Sequence, residues 1–489
     1  MTDAFYGSLF LCTRNFYKEI LFIFIFFIQR KEWLKIEEII LYSKEEWLKI
    51  KNIECKEGDK IMSKQLTVAI AGLGSRGKDT YAKVQKRIPN KMKIVAIADI
   101  DEKKVKEVAK EYEVEQRFCF SSAEEMLSQE KLADVMFITT QDQQHVSQAI
   151  LALKKGYDLL LEKPISPNLS ECREIVKVAK EYRRTVVVCH VLRYTPFYSK
   201  LKEVIDSGKI GDIVSVMAIE NVGYWHQAHS FVRGNWRNSN TTSPMILQKC
   251  CHDMDLYLWL TGKTCESVSS FGDIHLFKEE CAPEGATKRC MDGCKAKDEC
   301  PFDAEKIYLT NEKTGVLNGN IGWPVDVLTL QPTEETIRDA IKTGPYGRCV
   351  YYCDNNVVDH QVVNLKMTDG STIHLTMCAF TATGSRYAKF MGTKGEIIAD
   401  MSEKLIKVTM FGKETEVIDV AKLATDFSGH GGGDSRMVEE FLDIISGEKE
   451  MTSAITSVEH SVESHYCALA AEQSRLQGGA VISFDFLRK

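Results

Sequence analysis

The sequence lacks an excess of positive charge and lacks an apolar run long enough to cross a membrane. Lys and Arg number 63 against 69 Asp and Glu, so the formal net charge is −6. Nucleic-acid-binding proteins usually carry a basic face, so this balance argues against a nucleic-acid partner. The apolar run Ile20–Ile28 has nine residues, whereas a bilayer span needs roughly 20. We therefore expect a cytoplasmic protein with no membrane partner.

The sequence also lacks the cysteine spacing of a disulfide framework, although the chain contains 16 cysteines. Most of them stand singly in apolar runs, as Cys189, Cys250 and Cys378 do, and are expected to be small buried hydrophobic residues. The hydrophobic content of 44% and the charged content of 27% are ordinary for a globular protein. The length of 489 residues favours two or three domains.

Residues 1–61 differ in texture from the rest of the chain. The hexapeptide KEWLKI at Lys31–Ile36 recurs as EEWLKI at Glu45–Ile50. Lys56-Glu57-Gly58 can be encoded by a purine-rich ribosome-binding sequence, and three codons separate it from Met62. Our hypothesis is that translation begins at Met62 and that the preceding extension is not part of the native product. The alternative is a membrane-associating N-terminal anchor, and the intact mass of the natively expressed protein distinguishes the two.

A dinucleotide-binding pattern follows this extension. Leu66–Ala71 is a short apolar run, typical of a buried parallel strand. It leads into a GxGxxG turn and a helical segment, and the turn consists of Gly72, Leu73, Gly74, Ser75, Arg76 and Gly77. The first glycine allows the tight turn, the second lets the backbone approach a pyrophosphate, and the third lets the helix pack on the strand. The helix N-terminus offers free N–H groups to the phosphates.

An acidic residue, Asp99, follows the second predicted strand, Lys93–Ala98, and lies 22 residues beyond Gly77. A carboxylate at this position bonds the ribose 2′-hydroxyl. The sequence continues with Ile100-Asp101-Glu102, which would repel a 2′-phosphate. These residues favour NAD over NADP as the cofactor, while Arg76 within the turn is a basic group that weighs the other way.

Beyond Asp99 the strand–helix alternation continues to a strand that ends in Glu162-Lys163-Pro164. The motifs AGLGSRG, ADI and ITTQDQQHVSQAILALKKGYDLLLEKP occur in the order found in the Gfo/Idh/MocA oxidoreductases, and the chain resembles that family over roughly residues 62–489. One mild departure is Thr139-Thr140, where the family usually has Thr-Pro. The resemblance implies that further cofactor contacts come from Thr139, Thr140, His145, Glu162 and Lys163.

The resemblance also implies the domain organisation and the fold class. We expect an α/β protein with a Rossmann domain at residues 62–188, built on a doubly wound parallel sheet. An α+β domain at 189–489 would hold an open, largely antiparallel sheet that binds a carbohydrate and forms a dimer or tetramer. Strands are predicted at Ile213–Glu220, Val350–Cys353, Gln361–Met367, Thr372–Ala379 and Leu405–Met410.

Lys163 is placed for proton transfer. Oxidation of a sugar hydroxyl needs a hydride acceptor and a general base near the C–H that leaves. Lys163 follows a strand of the predicted parallel sheet, and ligands bind outside the carboxyl ends of such strands. Burial lowers the pKa of a lysine, which would let Lys163 hydrogen-bond the reacting oxygen or relay its proton. A lone lysine is more often simply exposed, but the strand end and the EKP motif favour the catalytic interpretation.

A second candidate catalytic group, His252, lies on the predicted helix PMILQKCCHDMDLYLWL. It shares a face with Asp255 and with Gln248, which lies one turn earlier. The family places an aspartate at the position of Gln248 and uses the histidine as base. Glutamine can bond a sugar hydroxyl or the imidazole but cannot stabilise an imidazolium. Either His252 works with Lys163 alone, or Asp255 or Asp253 provides the charge; the non-catalytic alternative is a helix-capping or core histidine.

Further substrate contacts are expected between these motifs. Arg193 and Tyr194 follow a predicted strand at 186–191, and Trp236 and Arg237 lie in HSFVRGNWRN. An arginine donates hydrogen bonds in a fork and a tryptophan stacks on a sugar ring, although Trp236 and Arg237 would equally suit a domain interface. Lone histidines that complete the candidate set are His229, His360 and His430, the last in a glycine-rich loop beside the site.

Four cysteines stand within a polar insertion at 281–300, namely Cys281, Cys290, Cys294 and Cys300. Four thiolates closing a tetrahedron form the ordinary structural zinc site, and we predict such a site here. Cys300-Pro301 is also similar to iron–sulfur loops, and free thiols are the third option. Metal analysis of the purified protein separates the three.

Three classes of function fit these residues. The leading prediction is an NAD-dependent oxidoreductase acting on a hydroxyl of a sugar, glycoside or cyclitol. The second is an NAD-dependent glycoside hydrolase that oxidises its substrate transiently and eliminates the aglycone. The third is a non-catalytic nucleotide-binding regulator, which the glutamine at position 248 keeps open. Accumulation of NADH, cleavage without net NADH, and absence of turnover distinguish them.

Overall fold

The computed structural model describes residues 65–484. The expectations for residues 1–61 and for Met62 as the start therefore lie outside the described residues. Within the described part of the chain, every helix is too short or too polar to span a membrane.

Six parallel strands form the first sheet, in the order β3-β2-β1-β4-β5-β6. They are β1 (Leu66–Ala71), β2 (Met92–Ala98), β3 (Cys119–Phe120), β4 (Val135–Ile138), β5 (Asp158–Leu161) and β6 (Val186–Val188). Their apolar side chains are buried on both faces, as expected of a parallel sheet covered by helices on both sides. The strand order reverses between β1 and β4, and ligands bind at such a switch point.

Helices cover both faces of this sheet. They are α1 (Lys83–Arg87), α2 (Glu102–Tyr112), α3 (Ala123–Ser128), α4 (His145–Lys154) and α5 (Leu169–Tyr182), and a π-helical segment, Ser75–Ala82, leads into α1. Side-chain caps define several starts: Asp101 accepts from the Lys103 N–H at α2, and Asn168 accepts from the Ser170 N–H at α5. Such caps satisfy N–H groups that have no partner inside the helix.

The second sheet has nine strands in the order β14-β13-β12-β11-β7-β10-β9-β8-β15. They are β7 (Ile213–Asn221), β8 (Cys265–Asp273), β9 (His360–Met367), β10 (Thr372–Cys378), β11 (Ser385–Gly392), β12 (Gly395–Asp400), β13 (Leu405–Met410), β14 (Glu416–Asp419) and β15 (Ile482–Ser483). Strands β7 and β10 pair in parallel, and the other neighbours are antiparallel. The predicted fold class is confirmed.

One predicted strand is wrong. Val350–Cys353 forms a turn, closed by a hydrogen bond from the Tyr352 N–H to the Cys349 carbonyl. The apolar side chains of this segment pack into a separate core of the insertion instead of extending the sheet. A short apolar run does not by itself distinguish a strand from a buried turn.

Four further helices complete the second half of the chain: α6 (Pro196–Asp206), α7 (Met245–Thr261), α9 (Gly433–Ser446) and α10 (Val458–Leu476). Helices α7 and α10 pack together, and α10 lies against β8. Helix α9 returns to the first sheet, where Phe441 lies edge-to-face with Phe137 at 6.1 Å between ring centroids. The two sheets are thereby held in one continuous packed structure.

The segment between β8 and β9, residues 274–359, is an insertion larger than the predicted 281–300. It contains α8 (Glu334–Thr343) and has its own buried core, which includes Phe277, Phe302, Tyr308 and Val325. The buried part of the adjoining segment Gln227–Arg233 packs against the same core. The insertion is therefore a folded unit with its own core, attached to the second sheet between β8 and β9.

Candidate functional site

The glycine turn is pressed against one strand end and open on its other side. Gly72 has φ 91°, and a Cβ there would lie 2.6 Å from the Thr139 carbonyl oxygen. A Cβ on Gly77 would lie 2.0 Å from the Gly72 carbonyl oxygen, whereas nothing lies within 4 Å of the Cβ position of Gly74. Thr139 Oγ1 donates to the Gly72 carbonyl at 2.6 Å. The turn thus has the open backbone surface that fits a dinucleotide pyrophosphate.

Asp99 lies directly beside this turn. Its carboxylate accepts hydrogen bonds from the Leu73 N–H at 2.5 Å and the Asp101 N–H at 2.8 Å. Ser75 is exposed at the first turn of the helical segment. The carboxylate is held at the carboxyl end of β2, where a ribose of a bound dinucleotide would lie.

Arg76, within the glycine turn, is held by two acidic side chains. Its guanidinium bonds Glu162 at 2.6 Å and Asp434 at 2.7 Å, and donates to Tyr81 Oη at 2.5 Å. Burial would raise the pKa of Glu162, but the positive charges of Arg76 and Lys163 outweigh it, and the pKa is lowered. Because Arg76 is held by two buried carboxylates, we withdraw it as a direct cofactor contact and as a group for a 2′-phosphate. Glu162 is likewise engaged in this ion pair, and we withdraw it as a direct cofactor contact too.

His145 links two strand ends. Its Nδ1 lies 2.8 Å from the Pro164 carbonyl oxygen and its Nε2 lies 3.1 Å from the Thr140 carbonyl oxygen. Thr140 Oγ1 donates to Gln148 Oε1 at 2.6 Å. With both ring nitrogens facing main-chain oxygens, we revise His145 from a cofactor contact to a group that holds the ends of β4 and β5 in position.

The Lys163 side chain reaches from the first domain to helix α7. Its main-chain N–H donates to Glu162 Oε2 at 2.8 Å, and its Nζ donates to the Gln248 carbonyl oxygen at 3.1 Å. A carbonyl oxygen accepts one of the three protons of the ammonium group, so the other donors remain for a ligand. Lys163 is therefore positioned beside the helix that carries His252.

Gln248 and His252 contribute polar atoms with no hydrogen-bond partner among the described residues. Gln248 Oε1 and His252 Nδ1 are both buried and unpaired, and unpaired buried polar atoms are costly unless a ligand or water satisfies them. Burial, followed by the positive charge of Lys163, lowers the pKa of His252 well below its ordinary value. The ring is thus neutral at neutral pH and able to accept a proton.

His190 is a residue that the sequence reasoning missed. It lies two residues after β6, and its ring is 5.6 Å from that of His252 between centroids. Both ring nitrogens are buried and without a partner in the described part of the chain. Burial is the main cause that lowers the pKa of His190 to about 4. The sequence analysis placed His190 inside a predicted strand at 186–191, so the rule that drew attention to Lys163, a polar residue just after a parallel strand, pointed to Arg193 instead; the strand ends at Val188.

The aspartates near His252 are engaged elsewhere. Asp255 accepts from Arg193 Nε and Nη2 at 2.6 Å each, and Asp253 pairs with Arg386 at 2.8 Å. The suggestion that either aspartate charges His252 directly is not supported by this geometry. Arg193 and Asp255 satisfy each other within the core, so we withdraw both as substrate contacts.

The other candidate substrate residues have similar structural partners. Tyr194 Oη is buried 3.0 Å from Thr456 Oγ1, which removes it from the substrate set. Arg237 pairs with Asp354 at 2.7 Å, and Trp236 packs against the main core. These two positions therefore match the interface alternative better than substrate binding.

The lone histidines have different positions. His430 lies 6.3 Å from His252 between ring centroids and contacts Asp434 at 3.1 Å. His229 is buried, with Nδ1 2.9 Å from Tyr308 Oη. His360 begins β9 and pairs with the adjacent Asp359 at 2.8 Å. Of the three, His430 is the one beside the candidate catalytic groups.

The predicted zinc site is wrong. Among residues 65–484, no group of three or more His, Cys, Asp or Glu side chains is arranged to hold a metal ion. The thiol of Cys281 bonds the His275 carbonyl at 3.5 Å, while Cys290 is buried 3.5 Å from Arg233 Nη2. The four cysteines, Cys281, Cys290, Cys294 and Cys300, are free thiols. Proximity in sequence did not become a metal site, because the side chains of the described residues do not converge as a set of three or more ligands.

Comparison with known families identifies both halves of the chain. A family model described as an oxidoreductase family with an NAD-binding Rossmann fold, GFO_IDH_MocA, matches residues 66–190. The model of the C-terminal alpha/beta domain of the same oxidoreductase family matches residues 202–482. Together the two matches span most of the described residues.

Individual relatives have low sequence identity to this chain. YteT of Bacillus subtilis (strain 168), described as an oxidoreductase, is 23% identical over 395 residues, covering 77% of this chain and 88% of that protein. Inositol 2-dehydrogenase of Corynebacterium glutamicum (strain ATCC 13032) is 26% identical over 213 residues, covering 42% of this chain and 57% of that enzyme.

Two solved structures have a similar fold. One is an oxidoreductase from Agrobacterium radiobacter in complex with NAD+, L-tartaric acid and magnesium, with a TM-score of 0.60, 14% identity, and coverage of 86% of this chain and 99% of that one. The other is an aldose-aldose oxidoreductase from Caulobacter crescentus complexed with glycerol, with a TM-score of 0.58, 12% identity, and coverage of 86% and 99%. At these identities the likeness concerns the fold.

Proposed function

Because the chain belongs to the Gfo/Idh/MocA oxidoreductase family, we propose that it oxidises a hydroxyl of a sugar, glycoside or cyclitol with NAD as hydride acceptor. The observation that carries this proposal is the group formed by Lys163, Gln248 and His252. An ammonium group, an unpaired amide oxygen and an unpaired, neutral imidazole lie on two elements joined by the Lys163–Gln248 hydrogen bond. Such a group can bind a hydroxyl and receive its proton.

Each residue has a separate role in the proposed reaction. Bound NAD supplies the hydride acceptor, and the open backbone at Gly74 and the Asp99 carboxylate would hold it. Lys163 donates a hydrogen bond to the reacting oxygen and orients it. His252 accepts the hydroxyl proton at its unpaired Nδ1. Gln248 Oε1 accepts a hydrogen bond from a neighbouring hydroxyl, which replaces the charge of the family's aspartate by a neutral contact.

The organisation of the whole protein forms part of the proposal. We place the boundary of the NAD-binding domain near residues 188/189 and propose a cytoplasmic homo-oligomer, either a dimer or a tetramer. Exposed apolar side chains of the second sheet, including Val214, Met217 and Phe271, support association, because a second copy of the chain could cover them. Light scattering of the purified protein measures the oligomeric mass.

A panel of carbohydrates tests the proposed activity. The purified protein is incubated with NAD and, separately, myo-inositol, D-glucose, D-galactose and their methyl glycosides, and NADH is followed by absorbance while products are identified by chromatography. We expect NADH to accumulate with at least one compound. Cleavage of a methyl glycoside without net NADH would replace the proposal by the hydrolase, and complete absence of turnover would favour a regulator.

Cofactor preference provides an independent prediction. Asp99→Ser removes the carboxylate that would bond the ribose 2′-hydroxyl and repel a 2′-phosphate. A charged hydrogen bond is worth about 1.5–3 kcal/mol, so the ratio of dissociation constants for NADPH over NADH should fall by about 10- to 100-fold. Fluorescence titration with each reduced nucleotide measures this ratio without a substrate. Asp101→Ser, which removes a neighbouring carboxylate that caps α2, is the control; an equal shift in both variants would count against the role of Asp99.

A further inference from the structure

The insertion between β8 and β9 brings a tryptophan to an aromatic cluster outside the site described above. The ring of Trp323 lies 4.9 Å from that of Trp225, 4.9 Å from that of His226 and 5.4 Å from that of His229, between centroids. The interplanar angles of 51°, 79° and 89° make these contacts tilted or edge-to-face. The indole therefore packs against its neighbours without a stacked partner among these three.

This cluster borders the proposed catalytic groups. His226 follows β7, whose Glu220 pairs with Lys249 of helix α7 at 3.3 Å. Lys249 is the residue after Gln248, the acceptor for Lys163. Burial lowers the pKa of His226 well below its ordinary value. The positive charges of Lys249 and Lys163 lower it further. His226 is thus influenced by the charges of both lysines, and its ring lies 4.9 Å from that of Trp323 between centroids.

The other end of the same segment approaches the nucleotide-binding helix. Burial, and next the negative charge of Asp79, raises the pKa of Asp326 to about 6. Asp79 belongs to the helical segment that follows the glycine turn. Residues 323–326 therefore include both the ring that contacts His226 and a carboxyl group influenced by the charge of Asp79. A substrate that meets both catalytic groups and cofactor would lie close to this segment.

Trp323 is held firmly but remains open to a ligand. The next two residues, Pro324 and Val325, are buried, and Val325 belongs to the core of the insertion. Trp323 itself is 40% exposed. An anchored backbone and packed neighbours restrict the indole before a ligand arrives, which reduces the entropic cost of binding.

We propose that Trp323 is a substrate-binding residue that packs against the apolar C–H face of a pyranose or cyclitol ring, with Trp225 and His226 holding the indole in place. The inference rests on the proposed function and adds a specificity determinant supplied by the insertion. A sugar ring presents axial C–H groups on one face, and an aromatic face covers such groups while leaving the hydroxyls free for hydrogen bonds. The insertion thereby selects substrates that have an apolar ring face.

Steady-state kinetics of Trp323→Ala and Trp323→Phe test the inference. With the panel compound that has the highest kcat/KM, we expect Trp323→Ala to raise KM for the carbohydrate about tenfold, the order of an aromatic contact together with its buried area. KM for NAD should be unchanged, because the indole does not touch the cofactor in this proposal. Trp323→Phe should restore most of the affinity, since it keeps an aromatic face.

Leu317→Ala is the matched control, because Leu317 is another exposed apolar residue of the same insertion and lies outside the aromatic contacts described above. An unchanged carbohydrate KM in Trp323→Ala, or an equal rise in Leu317→Ala, overturns the inference even though the enzyme turns over.

If no panel compound turns over, titration with myo-inositol and methyl β-D-glucoside in the presence of NADH is followed by tryptophan fluorescence. Quenching that is lost in Trp323→Phe supports the stacking role, and absence of quenching in the unaltered protein rejects it. Failure of the proposed function therefore appears in turnover, and failure of this inference appears in binding.

Discussion

Lys163→Met is expected to lower kcat by about two to three orders of magnitude, the usual cost of removing a hydrogen-bond donor directed at an oxygen on which charge develops. Methionine keeps much of the length of the side chain but cannot donate to the reacting oxygen or to the Gln248 carbonyl, which lies 3.1 Å from Lys163 Nζ. The dissociation constant for NADH should change little, because the turn at Gly74 and the Asp99 carboxylate hold the dinucleotide in the proposed site. Turnover of the best carbohydrate and a fluorescence titration with NADH measure the two effects separately.

Lys131→Met is the control for this variant. Lys131 also donates its ammonium group to a main-chain carbonyl, that of Gly156 at 2.7 Å, but it is exposed on the surface of the first domain. We expect this variant to keep the kcat of the unaltered protein. A Lys163→Met enzyme that retains more than about one tenth of kcat would exclude Lys163 as the hydrogen-bond donor to the reacting oxygen, and a matched loss of NADH binding would indicate a damaged fold.

The parts of the fold that follow from local chemistry were predictable. β1, the glycine turn and β2 are adjacent in sequence, and two of the three glycines have a steric reason at their positions: a Cβ on Gly72 or Gly77 would meet backbone atoms. The end of β5 in Glu162-Lys163 was readable because parallel strands are short apolar runs that end where polar residues begin. The bounds of Leu66–Ala71 and Leu405–Met410 are as predicted, whereas several other strand boundaries moved by one to three residues, since hydrogen bonds rather than composition decide where a strand ends.

The partners of the charged residues were not predictable from spacing. Helical periodicity places Gln248, His252 and Asp255 near one face, but it does not say which arginine meets which aspartate. Asp255 pairs with Arg193, and Asp253 pairs with Arg386, which is 133 residues distant in sequence. Such pairs depend on how the second sheet folds onto helix α7, and that topology has no local signal.

The cysteines show that proximity in sequence does not predict proximity of side chains in the fold. Four cysteines within a short polar segment favour a metal site by composition, and the prediction failed because a site needs convergence of side chains as well as proximity in sequence. Cys290 turns into the insertion core beside Arg233. His190, by contrast, stands alone in the sequence and yet lies 5.6 Å from His252, because β6 ends beside helix α7.

Arg76→Ala is expected to lower the free energy of unfolding by about 3–5 kcal/mol, the loss typical when one partner of a buried ion pair is removed. Arg76 is the counter-charge for Glu162 and Asp434, whose side chains are 6% and 9% exposed. Their carboxylates would remain in a poorly solvated site without it. Urea denaturation followed by circular dichroism measures the change, and Arg76→Lys, which keeps the charge, should lose less. Arg87→Ala is the matched control, because Arg87 pairs with Asp426 at 2.6 Å but is 52% exposed, and surface pairs contribute about 1 kcal/mol or less.

The pH dependence of the Arg76→Ala effect separates loss of charge from loss of packing. Burial acts to raise the pKa of Glu162 and Asp434, but Arg76, joined by Lys163 at the first and His430 at the second, holds both below their ordinary values. A carboxyl whose folded-state pKa is lowered contributes stability above its unfolded pKa and loses that contribution as the pH falls. The difference in unfolding free energy between the unaltered protein and Arg76→Ala should therefore be largest near neutral pH and shrink as the pH falls below roughly 4, where unfolded carboxyls take up protons. A difference that stays constant as the pH falls from about 5 to about 2, the range in which unfolded carboxyls take up protons, would mean that the arginine stabilises the fold through the packing of its side chain against Tyr81, whose ring centroid lies 4.7 Å from the guanidinium carbon, rather than through its charge.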